Sequence, residues 1–495
     1  EKDLNFNKQL FDQQIVEQLG EIPPPEDEIS NINPWEKPIG FITWGFILLT
    51  FHLNNLKLQY ILPSIGVILI YLGFRSLRKE NKYFKTAWIL AIVKMVWHLA
   101  NFVWISTPLN TIEYPEIAIG MIANGFQIVM YLVFHMALKV TYKKADKKAE
   151  AAPLLWASLW TAAVVLIALS PMSQNWLVFI PMVICYILIV RSLYRTGTQL
   201  GDAGYVLKNA SVKISNQLLG WIYILIALVT VVSCSVFSNH LKLAPQEYHV
   251  PETNQARQQL LDMGFPADAL QYLNDEVVAL LRGAVDVEVY NKLLMIDPRK
   301  IEHKESYGSH TWITHTYEPG RKNIDSTTIY IEMPENLVYV MQYFKWKEGN
   351  PVWQDGIMIS GESKADDKKI ISSGLFYKRK GNEYVADFPR LVCDKVVRNT
   401  MFGVDYSMLI TGALSYPFGS ESQGGYVLYS YTIPIESNVY STLSMLSYVH
   451  LSSPIHIPYA KTEEQILNGA YIFEDMLQQH YTNYESAAGR AKNTN

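Results

Sequence analysis

Two sets of polar side chains lie inside stretches that are otherwise apolar. In TAWILAIVKMVWHLANFVWI, Lys94, His98 and Asn101 recur at i, i+4 and i+7. In IAIGMIANGFQIVMYLVFHMAL, Asn124, Gln127, Tyr131 and His135 recur at i, i+3, i+7 and i+11. These spacings place each set on one face of a helix. A lysine at the centre of a membrane span costs roughly 2.5–3.5 kcal/mol on the insertion scale, so it must face protein or water. One chemistry open to such a stripe is a hydrated cavity or a polar switch whose pairing differs between two states. The other is interhelical hydrogen bonding that holds a bundle together, with Lys94 reaching toward the cytoplasmic face. The second is the more economical. The apolar segments contain no Asp or Glu, which disfavours a proton- or sodium-coupled carrier, because such carriers titrate an intramembrane carboxylate.

A second group of candidates lies in the polar half of the chain. Trp312, Trp346 and Trp353, with Tyr330, Tyr343 and Tyr377, have the ring chemistry of a stacking platform for a sugar or peptide. Ser420, Glu421 and Gln423, in the loop GSESQGG, are polar enough to close over a ligand. His303, His310 and His315 are near one another, but an offset of five on one strand sends His310 and His315 to opposite faces, which opposes a shared metal. No phosphate-binding glycine loop, nucleophile elbow, zinc helix or CxxC pair occurs where it would serve catalysis. No cofactor and no metal is therefore expected, and enzymatic activity ranks last.

The elements that position these residues divide at about Ser238. Before it, apolar runs at about 39–53, 57–74, 86–106, 117–138, 154–170, 175–193 and 217–238 suggest seven transmembrane helices. The first two, joined by a tight NNLK turn, also fit a re-entrant hairpin. One set of connections carries Arg75, Arg78, Lys79, Lys82 and Lys85, then Lys139, Lys143, Lys144, Lys147 and Lys148, then Arg191, Arg195, Lys208 and Lys213; the opposite set carries only Lys57. That asymmetry predicts a cytoplasmic N-terminus and an extracellular C-terminal half. Residues 3–19, with Phe11, Ile15 and Leu19 on one face, predict a short amphipathic helix, followed by an acidic, proline-rich linker to residue 38. No signal peptide is expected. The three cysteines suggest neither a disulfide framework nor a metal site, and a net charge of −4 argues against nucleic-acid binding.

Beyond Ser238, residues 239–300 predict an extracellular helical collar. Gly264, Pro266, Asn274 and Gly283 mark its helix ends. The stretch LLDMGFPADALQYL resembles a ubiquitin-associated domain, three short helices with an MGF turn. On the extracellular side, the expectation is a small bundle packed against the sheet domain or the membrane surface. From residue 301 to 461 the period shortens to two. STTIYIEM alternates, LVYVMQYFKW is apolar on both faces, and LFYKRKGNEYVADF turns at Lys380–Asn382. LITGALSYPF and GGYVLYSYTI read as a hairpin across Gly419–Gly425. Together these predict an antiparallel β-sandwich of jelly-roll type. Residues 462–495 read as a last helix, TEEQILNGAYIFEDMLQQHY, with a capping box at Thr462 and Gln465, and a tail.

The expected architecture is an α-helical membrane bundle of about seven spans bearing an extracellular α+β region. The expected work is sensing, signalling or assembly at the cell surface. Its partners would be the bilayer, an extracellular peptide, carbohydrate or protein ligand, and another membrane protein. The alternative is a permease or its accessory subunit, with a polar path lined by helices 3 and 4.

Overall fold

The computed structural model describes residues 35–50, 57–144, 151–171, 175–202, 214–307, 310–349, 351–361, 367–400, 403–433, 441–467 and 478–485. The amphipathic helix at 3–19, most of the acidic linker, Lys147, Lys148, Lys208 and Lys213, and the tail from 486 lie outside these residues. The chain forms two compact units, one of residues 1–103 and 113–231, the other of residues 104–112 and 232–495.

Seven helices occupy the apolar segments: α1 (Glu36–Thr50), α2 (Leu58–Leu77), α3 (Lys82–Ile105), α4 (Glu116–Lys144), α5 (Ala152–Ala168), α6 (Trp176–Asp202) and α7 (Asn216–Ser238). Helix is the backbone's answer to lipid, because it satisfies its hydrogen bonds internally. Five of them, α2, α3, α4, α6 and α7, are long and apolar enough to cross a membrane. α5 has 17 residues and α1 has 15, so length alone supports five crossings rather than seven. Their large apolar side chains point outward along α3 and α4, among them Ile89, Val93, Trp97, Ile117 and Ile122, as expected of a lipid-facing surface. Inward, Phe74, Phe84 and Phe134 pack with Ile39, Ile42 and Leu154. α1 and α2 meet at Gly45 and Gly66, where a Cβ on Gly45 would fall 2.7 Å from the Gly66 carbonyl oxygen. Small residues allow that approach.

The second unit holds two antiparallel sheets and a two-stranded ribbon. The larger sheet has the order β1 (Gln246–Glu247), β9 (Asn382–Ala386), β8 (Lys369–Arg379), β12 (Glu421–Thr432), β6 (Leu337–Glu348), β5 (Asn323–Glu332) and β2 (Asp286–Met295). The smaller has the order β10 (Arg390–Thr400), β11 (Gly403–Leu414), β7 (Asp355–Ser360), β13 (Ser441–Val449) and β14 (Gln478–Glu485). Among the described residues, β3 (Arg299–Tyr307) and β4 (His310–Glu318) pair only with each other. One apolar core joins the sheets: Val340, Phe344, Leu375 and Val427 from the larger lie with Ile357, Ile359, Ile410 and Leu446 from the smaller.

The opposite face of the larger sheet is covered by the collar helices α8 (Gln255–Asp262), α9 (Ala267–Leu270) and α10 (Asp275–Leu280). Leu260, Phe265, Leu270 and Val278 pack there on Ile329, Met341, Phe376 and Leu428. Asn254 and Asn274 cap α8 and α10 by accepting the Arg257 and Val277 amides. β6 thus has apolar residues on both faces because it is covered on both: Val340 and Phe344 face the other sheet, Met341 and Tyr343 the collar. A helix α11 (Thr462–Leu467) covers the smaller sheet through Ile466, against Met358, Leu409 and Leu451.

Four expectations need correction. Sheet begins at β1 and β2, inside the stretch 239–300 read as collar. The stretches around Gly419–Gly425 are not a hairpin: β11 lies in the smaller sheet and β12 in the larger, so the loop crosses between sheets. The C-terminal helix ends in the described residues at Leu467. QQHYTNYE is instead strand β14, with His480, Thr482 and Tyr484 buried in alternation. The ribbon β3–β4 lies outside both larger sheets.

Candidate functional site

Part of the polar stripe gathers between α3 and α4, where Gln127 contacts both Lys94 and Tyr131. Lys94 donates through Nζ to Gln127 Oε1, joining α3 to α4, and stands 6.0 Å from the Phe126 ring centroid. His98 turns to α2, with Nε2 3.0 Å from Ser64 Oγ. Tyr131 packs edge-on to Phe46 of α1 at 4.7 Å, and His135 Nδ1 lies 2.9 Å from the Ala151 carbonyl, just before α5. Asn124 donates to the Gly120 carbonyl of its own helix, and Asn101 is exposed. The contacts of Lys94, His98, Tyr131 and His135 each tie a different pair of segments.

The aromatic candidates are likewise dispersed. Tyr330, Trp346 and Tyr377 are buried in the core between the sheets, and Tyr343 faces the collar. Trp353 sits edge-on to Phe418 at 5.3 Å, and Trp312 projects from the ribbon. Only Trp312 of these six is exposed. The burial of Tyr330, Tyr343, Trp346 and Tyr377 follows from the larger sheet being covered on both faces. Ser420 and Gln423 are buried and satisfy each other locally: Gln423 Nε2 donates to the Ser420 carbonyl at 2.6 Å, and Ser420 Oγ to that of Pro417 at 2.7 Å. Glu421 beside them is exposed. His303 Nε2 lies 2.8 Å from Thr316 Oγ1, while His315 pairs across from Glu302 on the other face of the ribbon.

A dense polar constellation among the described residues of the second unit surrounds two successive residues, Gln354 and Asp355, both fully buried. The Asp355 carboxylate accepts from Tyr448 OH at 2.6 Å, His450 Nδ1 at 2.9 Å and the Leu451 amide at 3.1 Å. A carboxylate only accepts, so the proton between it and the imidazole sits on Nδ1. His450 Nε2 then receives Lys322 Nζ at 3.2 Å. Trp346 Nε1 donates to Tyr448 OH at 3.1 Å. Burial and the adjacent carboxylate hold the Tyr448 phenol well above its ordinary pKa. An aspartate–histidine pair also occurs in hydrolytic triads, but here Lys322 occupies the far side of the imidazole.

Gln354 closes the other end of the same segment. Its Nε2 donates to the Ala460 carbonyl at 3.2 Å, and its Oε1 accepts from Tyr459 OH at 3.1 Å and from Arg390. Residues 451–460 are therefore clamped at both ends by adjacent side chains at the start of β7. This clamped segment holds two other parts of the unit. The Tyr459 amide donates to the Ile105 carbonyl at 2.7 Å, and Asn110 Nδ2 donates to the Tyr459 carbonyl at 3.1 Å. Asn239, just after α7, donates to the Pro454 carbonyl at 2.9 Å. Sequence reasoning missed the clamp, since its members are about a hundred residues apart. The one local hint was Asp355, a lone carboxylate opening an apolar strand.

No protein-family model matches the chain, and no curated protein matches it. Among solved structures, one described as AvmM, which catalyses macrocyclization in alchivemycin A biosynthesis, is 13% identical with a TM-score of 0.18. It covers 37% of this chain and 96% of its own. A second, described as the manganese lipoxygenase of Gaeumannomyces graminis with part of a zonadhesin of Komagataella pastoris, is 7% identical with a TM-score of 0.14. It covers 42% of this chain and 86% of its own. Likenesses at these scores carry no argument about fold or activity.

Proposed function

We propose that this is a multi-pass plasma-membrane protein whose two-sheet unit, a β-sandwich outside the cell, binds a ligand or partner and reports its state to α3 and α4. The observation that carries the reading is the membership of residues 104–112, the connection between α3 and α4, in the sheet unit. Both helices with polar stripes end in a connection hydrogen-bonded to the clamped segment at Tyr459. A ligand that favours one arrangement of that segment would thereby favour one arrangement of the two helix ends.

The same membership supports the topology. The α3–α4 connection and the chain after α7 belong to one compact unit and so lie on one side of the bilayer. An even number of crossings must separate them. α4, α6 and α7 make an odd number, so α5 crosses as well, its 17 residues spanning about 26 Å. The connection between α3 and α4, free of lysine and arginine, and the basic ends of α2 and α4 support an outside position for the sheet unit.

Hydrogen exchange on the full chain in detergent tests the coupling. Asn110→Ala is expected to speed exchange several-fold in the last turns of α3 and the first turns of α4, leaving α5 and α6 unchanged. Unaltered exchange in α3 and α4 would reduce the sheet unit to a passive appendage.

A further inference from the structure

Among the described residues of the second unit, the ribbon β3–β4 is largely exposed. It continues the β2–β5 hairpin past a break at Asp297–Pro298 and Pro319–Gly320, and its nine-residue strands reach about 30 Å. From Glu302 to Lys304 and from Trp312 to Glu318 every residue is exposed. Trp312 is 67% exposed, Ile313 51% and Tyr317 49%. Pairing places Trp312 on the face of Ile301, and Ile313 and Tyr317 on the other. Apolar side chains thus stand in solvent on both faces.

The base of the ribbon is fixed. Asp297 Oδ1 accepts the Lys322 amide at 2.6 Å, and the Ile296 amide donates to the Lys322 carbonyl at 2.9 Å. Gly320 passes so close to Asp297 that a Cβ there would lie 1.9 Å from its carbonyl oxygen. Beyond this base, a two-stranded ribbon has marginal stability by itself.

The two outer edges differ. β3 carries Arg299, Lys300, Glu302 and Lys304, charges of the kind that keep an edge from pairing. β4 has no lysine, arginine or carboxylate from His310 to Tyr317, and instead reads Thr-Trp-Ile-Thr-His-Thr-Tyr from 311 to 317. Such a composition favours strand pairing. One edge is guarded and one is open.

We infer that the ribbon is a homotypic docking arm, whose β4 pairs edge to edge and antiparallel with β4 of a second copy across a two-fold axis near Thr314. Three features select a second copy as the occupant. An uncharged edge meets itself without placing like charges opposite each other. Antiparallel pairing about Thr314 sets Trp312 opposite the partner's Thr316 and Ile313 opposite the partner's His315, the aromatic–β-branched and mixed pairs that stabilise sheets. With β3 guarded, the ribbon offers one open edge, so pairing through the ribbon closes at two copies rather than extending into a fibre. The inference does not depend on the sensor reading.

The test uses the full chain in nanodiscs and in native membranes. Thr314→Cys, on the axis, is expected to cross-link under mild oxidation, since paired Cα atoms there lie about 4.5–5.5 Å apart. Thr316→Cys, displaced from its own symmetry mate, is not. Ile313→Lys with His315→Lys sets like charges opposite each other and is expected to give monomers by mass photometry. Ile313→Lys with His315→Glu sets opposite charges together and is expected to restore the dimer. A monomeric native chain, equal cross-linking at positions 314 and 316, or a dimer indifferent to both charge pairs would overturn the proposal. So would a monomer whose arm binds lipid vesicles or a strand of another protein.

Discussion

Burial, and secondarily the Lys292 ammonium, push the His480 imidazole down to about 4. Its Nδ1 lies 3.0 Å from Ser326 Oγ inside the second unit. The folded state therefore keeps His480 neutral at pH values where the unfolded chain, near 6.5, already binds a proton. Stability from this site is fully present above pH 6.5 and is lost as the pH falls from 6.5 toward 4; below 4 both states are protonated and nothing more is lost. With solvent screening the loss should come to about 1–2 kcal/mol. Denaturant titrations from pH 7 to pH 4 should show that slope, and His480→Gln should flatten it. An imidazole titrating near 6.5 in the folded protein would show that position 480 is wet. The Gln354–Asp355 clamp teaches a related lesson about legibility. Tyr448 and His450, two residues apart at the end of β13, share a face by strand spacing, but Tyr459 and Arg390, which bond Gln354, come from separate elements, and no spacing rule brings all four to this corner. The membrane stripe, by contrast, was visible at once, because helical periodicity is local. Its destinations on α1, α2 and α5 were not, since they depend on which helices become neighbours.

At the scale of elements, β12 shows how tightly the larger sheet is built. A Cβ on Gly424 would lie 2.3 Å from the Phe376 ring and 2.5 Å from the Phe344 carbonyl oxygen. Neither the neighbouring strand nor the ring, packed among the collar residues, can yield cheaply. Gly424→Ala should destabilise the sheet unit by about 1–3 kcal/mol, as overpacking does, seen as a lower thermal midpoint in its circular dichroism. An unchanged midpoint would mean that β12 can slide at its bulge near Glu421. Elements were legible where burial imposed a pattern. Uniform apolarity marked the helices, and residues apolar on both faces marked β6. The hairpin between β8 and β9 declared itself through Lys380–Gly381, whose positive φ values of 52° and 87° suit a tight turn. Assignment to a sheet was not legible. β11 and β12 both contain continuous buried runs, and only their partners put them in different sheets. β14 was hidden because its buried positions are His480, Thr482 and Tyr484, which do not read as an apolar face.

For the whole molecule, topology carries the most weight. A membrane-impermeant maleimide should label Asp268→Cys on intact cells, whereas Lys82→Cys should react only after permeabilisation. The reverse pattern would put the sheet unit inside the cell and end the proposal of surface sensing. One contact also bears on how the protein is made. Asn110 and Tyr459, which hydrogen-bond, are 349 residues apart. At ribosomal speeds of roughly 5–20 residues per second, the turn linking the third and fourth helices must wait tens of seconds for its partner to emerge. During that interval the first helices can already be inserted while their outer turn is bare, so whatever holds the half-made chain open until translation reaches the last strands becomes part of how the finished one is set.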